Sequence, residues 1–470
     1  MEHFRRLCQA ALGGYDAKVA ERIEQHLLSQ MICLGKHRIT TLVATGGGQF
    51  EDWTADYRLY SKARLDPQPL FDTACREVLA SLPERAPLIV AIDDTRIRKS
   101  SIKTPGVKYT LDPLGPKFHV NFILAQRFLQ FSAALPIGHE GDAITVPVAF
   151  RHAPLPAKPG KKASEEERRE YRATRKASAL PQQAVAQVDQ LRTRLDQQGE
   201  QARALWCAVD GGYTNRTFMK QIPDRSLGIG RIRADAKLYY LPEEQPDIGR
   251  KKVYGEPAPT PEQLRVNDDV PWEIRSAFAA GKAHAFKIKT IGPVRWRSTG
   301  KVHDLRVIVI APLHYRLRQG SKFLYRKPAY LICTDPDQPV EQVLQAYLWR
   351  WKIEVNFRDE KTIFGVGDAQ VRHPESVERV PAAAVAAYAL LLLAGHAASD
   401  TDSPRLPPPK WNTTGSERMT TQQLVNTLRA QVWGLGMSFN DFATRPSINT
   451  KYIKLFPDLD SAVLYGANVA

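Results

Sequence analysis

The chain has 470 residues, of which 43% are hydrophobic and 25% charged, an ordinary globular balance long enough for roughly two to four domains. Five scattered cysteines (Cys8, Cys33, Cys75, Cys207, Cys333) exclude a disulfide framework and any CxxC zinc site. A formal charge of +16 points to a polyanionic partner, nucleic acid before membrane.

The start, MEHFRRLCQA, has no secretory apolar core, and a reducing, cytoplasmic setting is expected. Residues 1–84 read as a helical domain. Glu21 to Leu34 and Leu70 to Ser81 carry apolar residues at helical spacing, interrupted at Gly46-Gly47-Gly48. Pro87 to Asp93 is a continuous apolar run ending in acid, the pattern of a central strand buried on both faces. Phe118 to Leu135 supplies further strands. The segment 156–200 is dense in both charges. It reads as a solvated helix, or as one whose Lys161, Lys162, Arg168, Arg169 and Arg172 also touch phosphate. Trp206 to Asp210 is a second apolar strand ending in aspartate. Residues 225–334 alternate like strands and read as a β-rich insertion. Helical periodicity returns from Val340 to about His396, and its apolar stretch Val380 to Ala394 is shorter than the roughly 20 residues of a membrane span. A buried helix is expected there. Asp400 to Thr414 has the proline content of a linker, and Gln422 to Trp433 is helical.

A carboxylate at the end of a buried strand is costly to desolvate unless it is paired. Asp93 (with Asp94 beside it) and Asp210 therefore suggest a divalent cation; turn or N-cap aspartates are the alternative. The segment Tyr347 to Lys361 adds a third acid. At about 100° per residue from Tyr347, Arg350, Glu354, Arg358 and Lys361 fall near 300°, 340°, 20° and 320°, so one helix face frames an acid with cations. Trp349, Trp351, Ile353 and Phe357 around it indicate a buried helix, and a buried face of this kind wants phosphate and metal together.

The spacing Tyr347, two residues, Arg350, three residues, Glu354, six residues, Lys361 resembles the signature of one group of bacterial insertion-sequence transposases, the Tyr-Arg-Glu-Lys group of DDE enzymes. The resemblance covers about residues 85–400. It implies an α/β RNase H-like (retroviral-integrase-like) core, a mixed sheet flanked by helices, in two parts (85–224 and 335–399). Around them stand the β-rich insertion at 225–334, an N-terminal helical domain that binds DNA ends, and a small helical C-terminal region at 400–470. It implies Asp93, Asp210 and Glu354 as catalytic metal ligands. Asp94 is the fallback for Asp93, which shares a strand face with Thr95 as the family's Asp-x-Thr pattern requires. Two Mg²⁺ ions, with Mn²⁺ as substitute, would sit about 3.5–4 Å apart.

The same resemblance assigns Tyr347, Arg350 and Lys361 to the DNA backbone. It assigns Trp296, which is otherwise an ordinary strand tryptophan, to a base flipped out of the helix. Arg358 is grouped with the DNA-binding cations of the helix. Arg295, Arg297, Arg316, Arg318, Lys322, Arg326 and Lys327 give the insertion a basic character, and Arg96, Arg98, Lys99 and Lys103 line the same channel. The implied partners are terminal inverted repeats, target DNA and a second copy of the chain in a synaptic complex; no membrane and no nucleotide cofactor are expected. An inactive DNA-binding descendant and a metal-dependent nuclease without strand transfer share these residues.

Overall fold

The apolar run at 87–92 is the centre of a large mixed sheet, and everything that positions the acids follows from how that sheet is ordered. The computed structural model describes all residues other than 51, 113, 117, 139–140, 246–247, 301–302, 316–323, 400–405, 407–418 and 438–470. Arg316, Arg318, Lys322 and most of the expected linker and tail lie outside the described residues.

Five helices open the chain: α1 (Glu2–Leu12), α2 (Ala17–Ile32), α3 (Ile39–Thr45), α4 (Thr54–Ser61) and α5 (Gln68–Ser81). Strands β1 (Leu88–Arg98), β2 (Lys108–Leu111), β3 (Phe122–Ile137) and β4 (Asp142–His152) follow, then α6 (Glu165–Ala177), α7 (Leu180–Gln197), β5 (Leu205–Val209), α8 (Arg216–Gln221) and β6 (Ser226–Arg231). The next stretch holds β7 (Leu238–Tyr240), β8 (Pro257–Ala258), α9 (Pro261–Val266), β9 (Glu273–Ala279), β10 (Lys282–Trp296), β11 (Leu305–Ile310), β12 (Leu313–Tyr315), β13 (Leu324–Arg326) and β14 (Ala329–Cys333). Helices α10 (Val340–Arg350), α11 (Lys352–Thr362), α12 (Ser376–Ser399) and α13 (Thr421–Met437) complete the described chain.

The sheet runs β2-β3-β1-β5-β6-β14-β11-β10-β7-β8, with β4 also on β3 and β9 also on β10. The pairs β1–β5 and β5–β6 are parallel, joined through helices, and the described ladders on either side of them are antiparallel. β5 is buried at all five positions, as a parallel strand covered on both faces must be. Antiparallel strands followed by parallel ones with helices on the faces is an RNase H-like arrangement. Most strands between 225 and 334 continue the same sheet through β14, which pairs with both β6 and β11, while β12 and β13 pair only with each other among the described residues.

β1 does not stop at its acids. It runs to Arg98 because β3 continues to pair with it from Val90 to Arg98, whereas the parallel ladder with β5 ends at Ile92 and Val209. Asp93 and Asp94 thus lie mid-strand, just past the last parallel pair.

One core joins the N-terminal helices to the sheet through α12, whose Val385 to Leu390 are at most 1% exposed. That helix is long and apolar enough to cross a membrane by length and composition, yet 83% of its most apolar window is buried in the protein. A second core, including Trp206, Ile229, Ile288 and Ile308 of the sheet, seats α10 through Val343, Leu344 and Ala346. The charge-dense α6 has no buried residue and opens with a Ser164–Glu167 capping box, which fits a solvated helix.

Candidate active site

Register brings the first two acids side by side. Ile92 pairs with Val209, so Asp93 and Asp210 are the next residues on neighbouring parallel strands, whose axes stand about 4.8 Å apart. Beyond β5 the chain turns sharply. The N–H groups of Gly212 and Tyr213 donate to Asp210 Oδ1 at 2.8 and 3.3 Å, and Thr214 Oγ1 donates to the Asp210 carbonyl. The turn holds one carboxylate oxygen. In the same way the Asp94 N–H donates to Asp93 Oδ1 at 2.8 Å, while Asp93 Oδ2 faces Arg350 Nη1 at 3.6 Å.

Alternation separates the two neighbouring aspartates. Asp93 is opposite Gln130, whose amide donates to Glu360 of α11, so Asp93 shares the α11 side of the sheet. Asp94 is opposite Leu129 on the other face. There it accepts from the Tyr213 hydroxyl at 3.4 Å and feels the charges of Arg96 and Arg127.

The third acid arrives on α11, and the helix carrying it differs from the sequence expectation. Tyr347 to Lys361 is not one helix: α10 ends at Arg350 and α11 begins at Lys352, with Trp351 between them. The junction is tightened, since the Trp351 N–H reaches the Leu348 carbonyl and the Glu354 N–H the Trp351 carbonyl. Nor is the segment wholly buried. Trp351 is 61% exposed, because the tightened turn rotates it off the face that seats Ile353 in the core.

Arg350 is the hub. Its side chain is buried, its guanidinium lies over the Tyr347 and Trp351 rings at 5.4 and 5.8 Å, and its Nε has no hydrogen-bond partner among the described residues. The electrostatics tie the acids together. Burial, helped by the charge of Asp210, pushes the Asp93 carboxyl up to about 7 against the pull of the Asp94 N–H and of Arg350. Glu354 is exposed on α11, and partial desolvation of its carboxyl raises it, with Arg350 lowering it and Asp210 raising it further. Asp93 and Glu354 both sense Asp210 and Arg350, so the three acids occupy one field.

Other sequence candidates are placed less simply. Arg358 is held by the neighbouring Asp359 carboxylate at 2.8–2.9 Å. Arg295 donates to Asp304 at 2.7 Å and to the Val253 carbonyl at 2.6 Å, and Arg297 stacks over Tyr239 at 4.9 Å. These contacts are internal. Lys361 is exposed, with its ammonium 5.9 Å from the Phe357 ring. Trp296, the last residue of β10, lines a cavity of about 960 Å³ with Gly211, Arg231, Arg233, Lys327 and Tyr330. The cavity therefore begins one residue past Asp210. Arg231 and Arg233 went unnoticed in the sequence; their period-2 spacing at the end of β6 was the available signal. Tyr213 carried no signal, because its partner is 119 residues away.

The donor set fits a hard divalent ion in kind: three carboxylates that share one electrostatic field, two with a single oxygen tied to backbone N–H, beside the guanidinium of Arg350. As the side chains stand, no group of three or more His, Cys, Asp and Glu among the described residues is gathered tightly enough to hold an ion.

An RNase H-like sheet with adjacent strand acids beneath a helix glutamate defines a class of polynucleotide phosphoryl-transfer enzymes. The family comparison narrows it. The model of the DDE superfamily endonuclease family matches residues 17–301, and the chain belongs to that family. The match takes in Asp93, Asp210 and Trp296 and ends before Glu354. No curated protein matches the chain. Membership makes this a nuclease- or transposase-type enzyme acting on DNA, and enzymes of the family generally use divalent metal ions.

Proposed function

We propose that the chain is a cut-and-paste DNA transposase of the Tyr-Arg-Glu-Lys group, cleaving DNA at the ends of an insertion sequence and joining them to a target. The observation that carries the reading is that Asp93 and Glu354 each feel both the charge of Asp210 and the buried guanidinium of Arg350. Asp93, Asp210 and Glu354 would hold two Mg²⁺ ions, which when bound activate the attacking oxygen and stabilise the departing 3′ oxygen. The chain's own residues orient the DNA. Arg350, steadied by the aromatic rings it lies against, would turn its guanidinium to a phosphate beside the scissile bond. Tyr347 adds a hydroxyl and Lys361 a point charge farther along the strand. Trp296 offers an aromatic face to an unstacked base in the cavity past Asp210. Residues 1–84 are assigned to the terminal inverted repeats and 400–470 to a homodimeric synaptic complex.

The test is a supercoiled plasmid bearing two element ends, taken from inverted repeats flanking the gene. Wild type in Mg²⁺ or Mn²⁺ is expected to excise the segment and insert it into a second plasmid. Linear product alone makes the chain a nuclease without joining, and retention without cleavage makes it a binder that has lost catalysis. Glu354→Gln is expected to keep DNA binding and lose cleavage; full cleavage by that variant removes Glu354 from the site.

A further inference from the structure

Most large apolar side chains left in water here are scattered, which is normal. One set is not. Ile102, Tyr109, Leu111, Leu114, Phe118, Val120 and Phe122 are all exposed and all belong to the hairpin formed by β2, the start of β3 and the loops around them. Register puts Leu111 opposite Phe122 and Tyr109 opposite Leu124, so the ribbon presents one apolar face. β2 is the terminal strand of the sheet, so no further strand among the described residues pairs with its outer edge. At the tip Phe118 is 93% and Leu114 88% exposed, values that core packing cannot account for. Contiguous exposed apolar surface of this kind marks a contact with something else.

The charge around it selects the partner. Residues 96–122 contain six cations (Arg96, Arg98, Lys99, Lys103, Lys108, Lys117) and one acid, Asp112, a surplus of five positive charges; Lys99 is buried on the Ala369 carbonyl and Lys108 donates to that of Pro156, while Arg98 and Lys103 are exposed. Two copies of so basic a segment repel each other, whereas a polyanion is drawn to it. Its root also adjoins the proposed site. Arg98 is paired with Asp112 at 2.8 Å, and Lys361 lies within electrostatic reach of both.

We propose that this hairpin is an apolar wedge that enters duplex DNA at an unstacked step beside the cleavage site. The exposed Arg98 and Lys103 at its root hold flanking phosphates while Leu114 and Phe118 lie against the separated bases. The proposal rests on the DNA-cleaving reading above and adds to it the state of the DNA that the enzyme favours. Side chains inserted between base pairs kink the duplex, at the cost of unstacking. A mismatched step is already partly unstacked, so a wedge favours it over a fully paired one.

The experiment measures affinity, in EDTA to prevent cleavage, for a short duplex with a central mismatch and for the same duplex fully paired. Wild type is expected to prefer the mismatch by about tenfold, the scale of one stacked contact. The double variant Leu114→Ala, Phe118→Ala removes only exposed atoms and no charge. It is expected to lose the preference while keeping paired-duplex affinity within about twofold. Phe118→Trp is expected to retain the preference. A preference that survives the double truncation overturns the wedge. So does a wild type that sediments as a dimer where the double variant is monomeric, which would make the face a contact between copies. A wild type that binds both duplexes equally also overturns the wedge but leaves the DNA reading standing. Binding to neither overturns both.

Discussion

Asp93 and Asp94 are chemically identical neighbours in opposite surroundings, and their surroundings separate their roles. Asp93 shares a face with Glu354 and Arg350, while Asp94 is tied on the other face to Tyr213, in the turn that begins with Asp210. Asp94 and Tyr213 thus brace the ends of β1 and β5 against each other. Asp93→Asn is expected to abolish Mg²⁺-dependent nicking. Asp94→Asn and Tyr213→Phe, each removing half of the brace, are expected to slow it by about 10–100-fold, the usual cost of losing support behind a ligand. The reverse ranking in a plasmid-nicking assay would make Asp94 the ligand.

Glu360 is a separate matter. It is fully enclosed, holds Gln130 at 2.8 Å, and burial pushes its carboxyl up to about 8 from an ordinary 4.5. The folded chain therefore keeps a proton that the unfolded chain releases above about pH 4.5, so stability is full below that value and falls as pH rises toward 8. The loss is on the order of 5 kcal/mol. Glu360→Gln removes the titration and can still hydrogen-bond Gln130. Urea melts at pH 5 and pH 8.5 are expected to show a smaller loss of stability for the variant than for wild type, because Asp93, raised to about 7, still titrates in both; equal losses would mean that Glu360 is not the group responsible.

Among elements, β6 shows how closely the sheet must approach the active-site turn. Its sequence Ser226-Leu-Gly-Ile-Gly-Arg231 puts Gly228 and Gly230 on one face, under α8 and the Asp210 turn. A Cβ on Gly230 would stand 2.1 Å from Thr214 Oγ1 and 2.9 Å from the Met219 methyl. Gly230→Ala must therefore displace Thr214, whose hydroxyl holds the Asp210 carbonyl. The expected cost is about 1–3 kcal/mol of stability, with a loss of cleavage beyond what the unfolded fraction explains. Unchanged nicking would show that the turn is held without Thr214.

This scale also marks what the sequence could reveal. Apolar runs announced β1 and β5, and helical spacing announced α2 and α5. Those signals are local. The continuation of β1 past its acids depends on β3 some 30 residues on, and the break at Trp351 depends on which side chains the sheet seats. Arg295 and Arg297 looked free because their partners, Asp304, Val253 and Tyr239, are brought up only by the folded sheet.

At the scale of the whole molecule, α12 is the member on which the N-terminal helices and the catalytic sheet both pack, and its burial was readable from its uniformly apolar sequence. The surplus of sixteen positive charges was readable too, but its distribution was not. Many cations are spent inside the protein: Arg192, Arg203 and Arg429 are buried and donate to backbone carbonyls, and Lys289 is buried over Trp272. The charge that meets DNA is therefore smaller than the formal total, and the salt dependence of binding measures it. Each phosphate neutralised lowers the slope of log affinity against log salt by about 0.9 for duplex DNA. Lys361 is exposed and not committed to an ion pair, so Lys361→Ala is expected to make that slope shallower by about one phosphate's worth, with little change in melting temperature. Arg295→Ala is expected to do the opposite, leaving the slope intact and lowering stability, because its guanidinium is engaged by Asp304 and Val253. Filter-binding titrations across a salt series, run beside thermal melts, separate the two kinds of arginine and lysine. A Lys361→Ala slope equal to that of wild type would take that residue off the DNA.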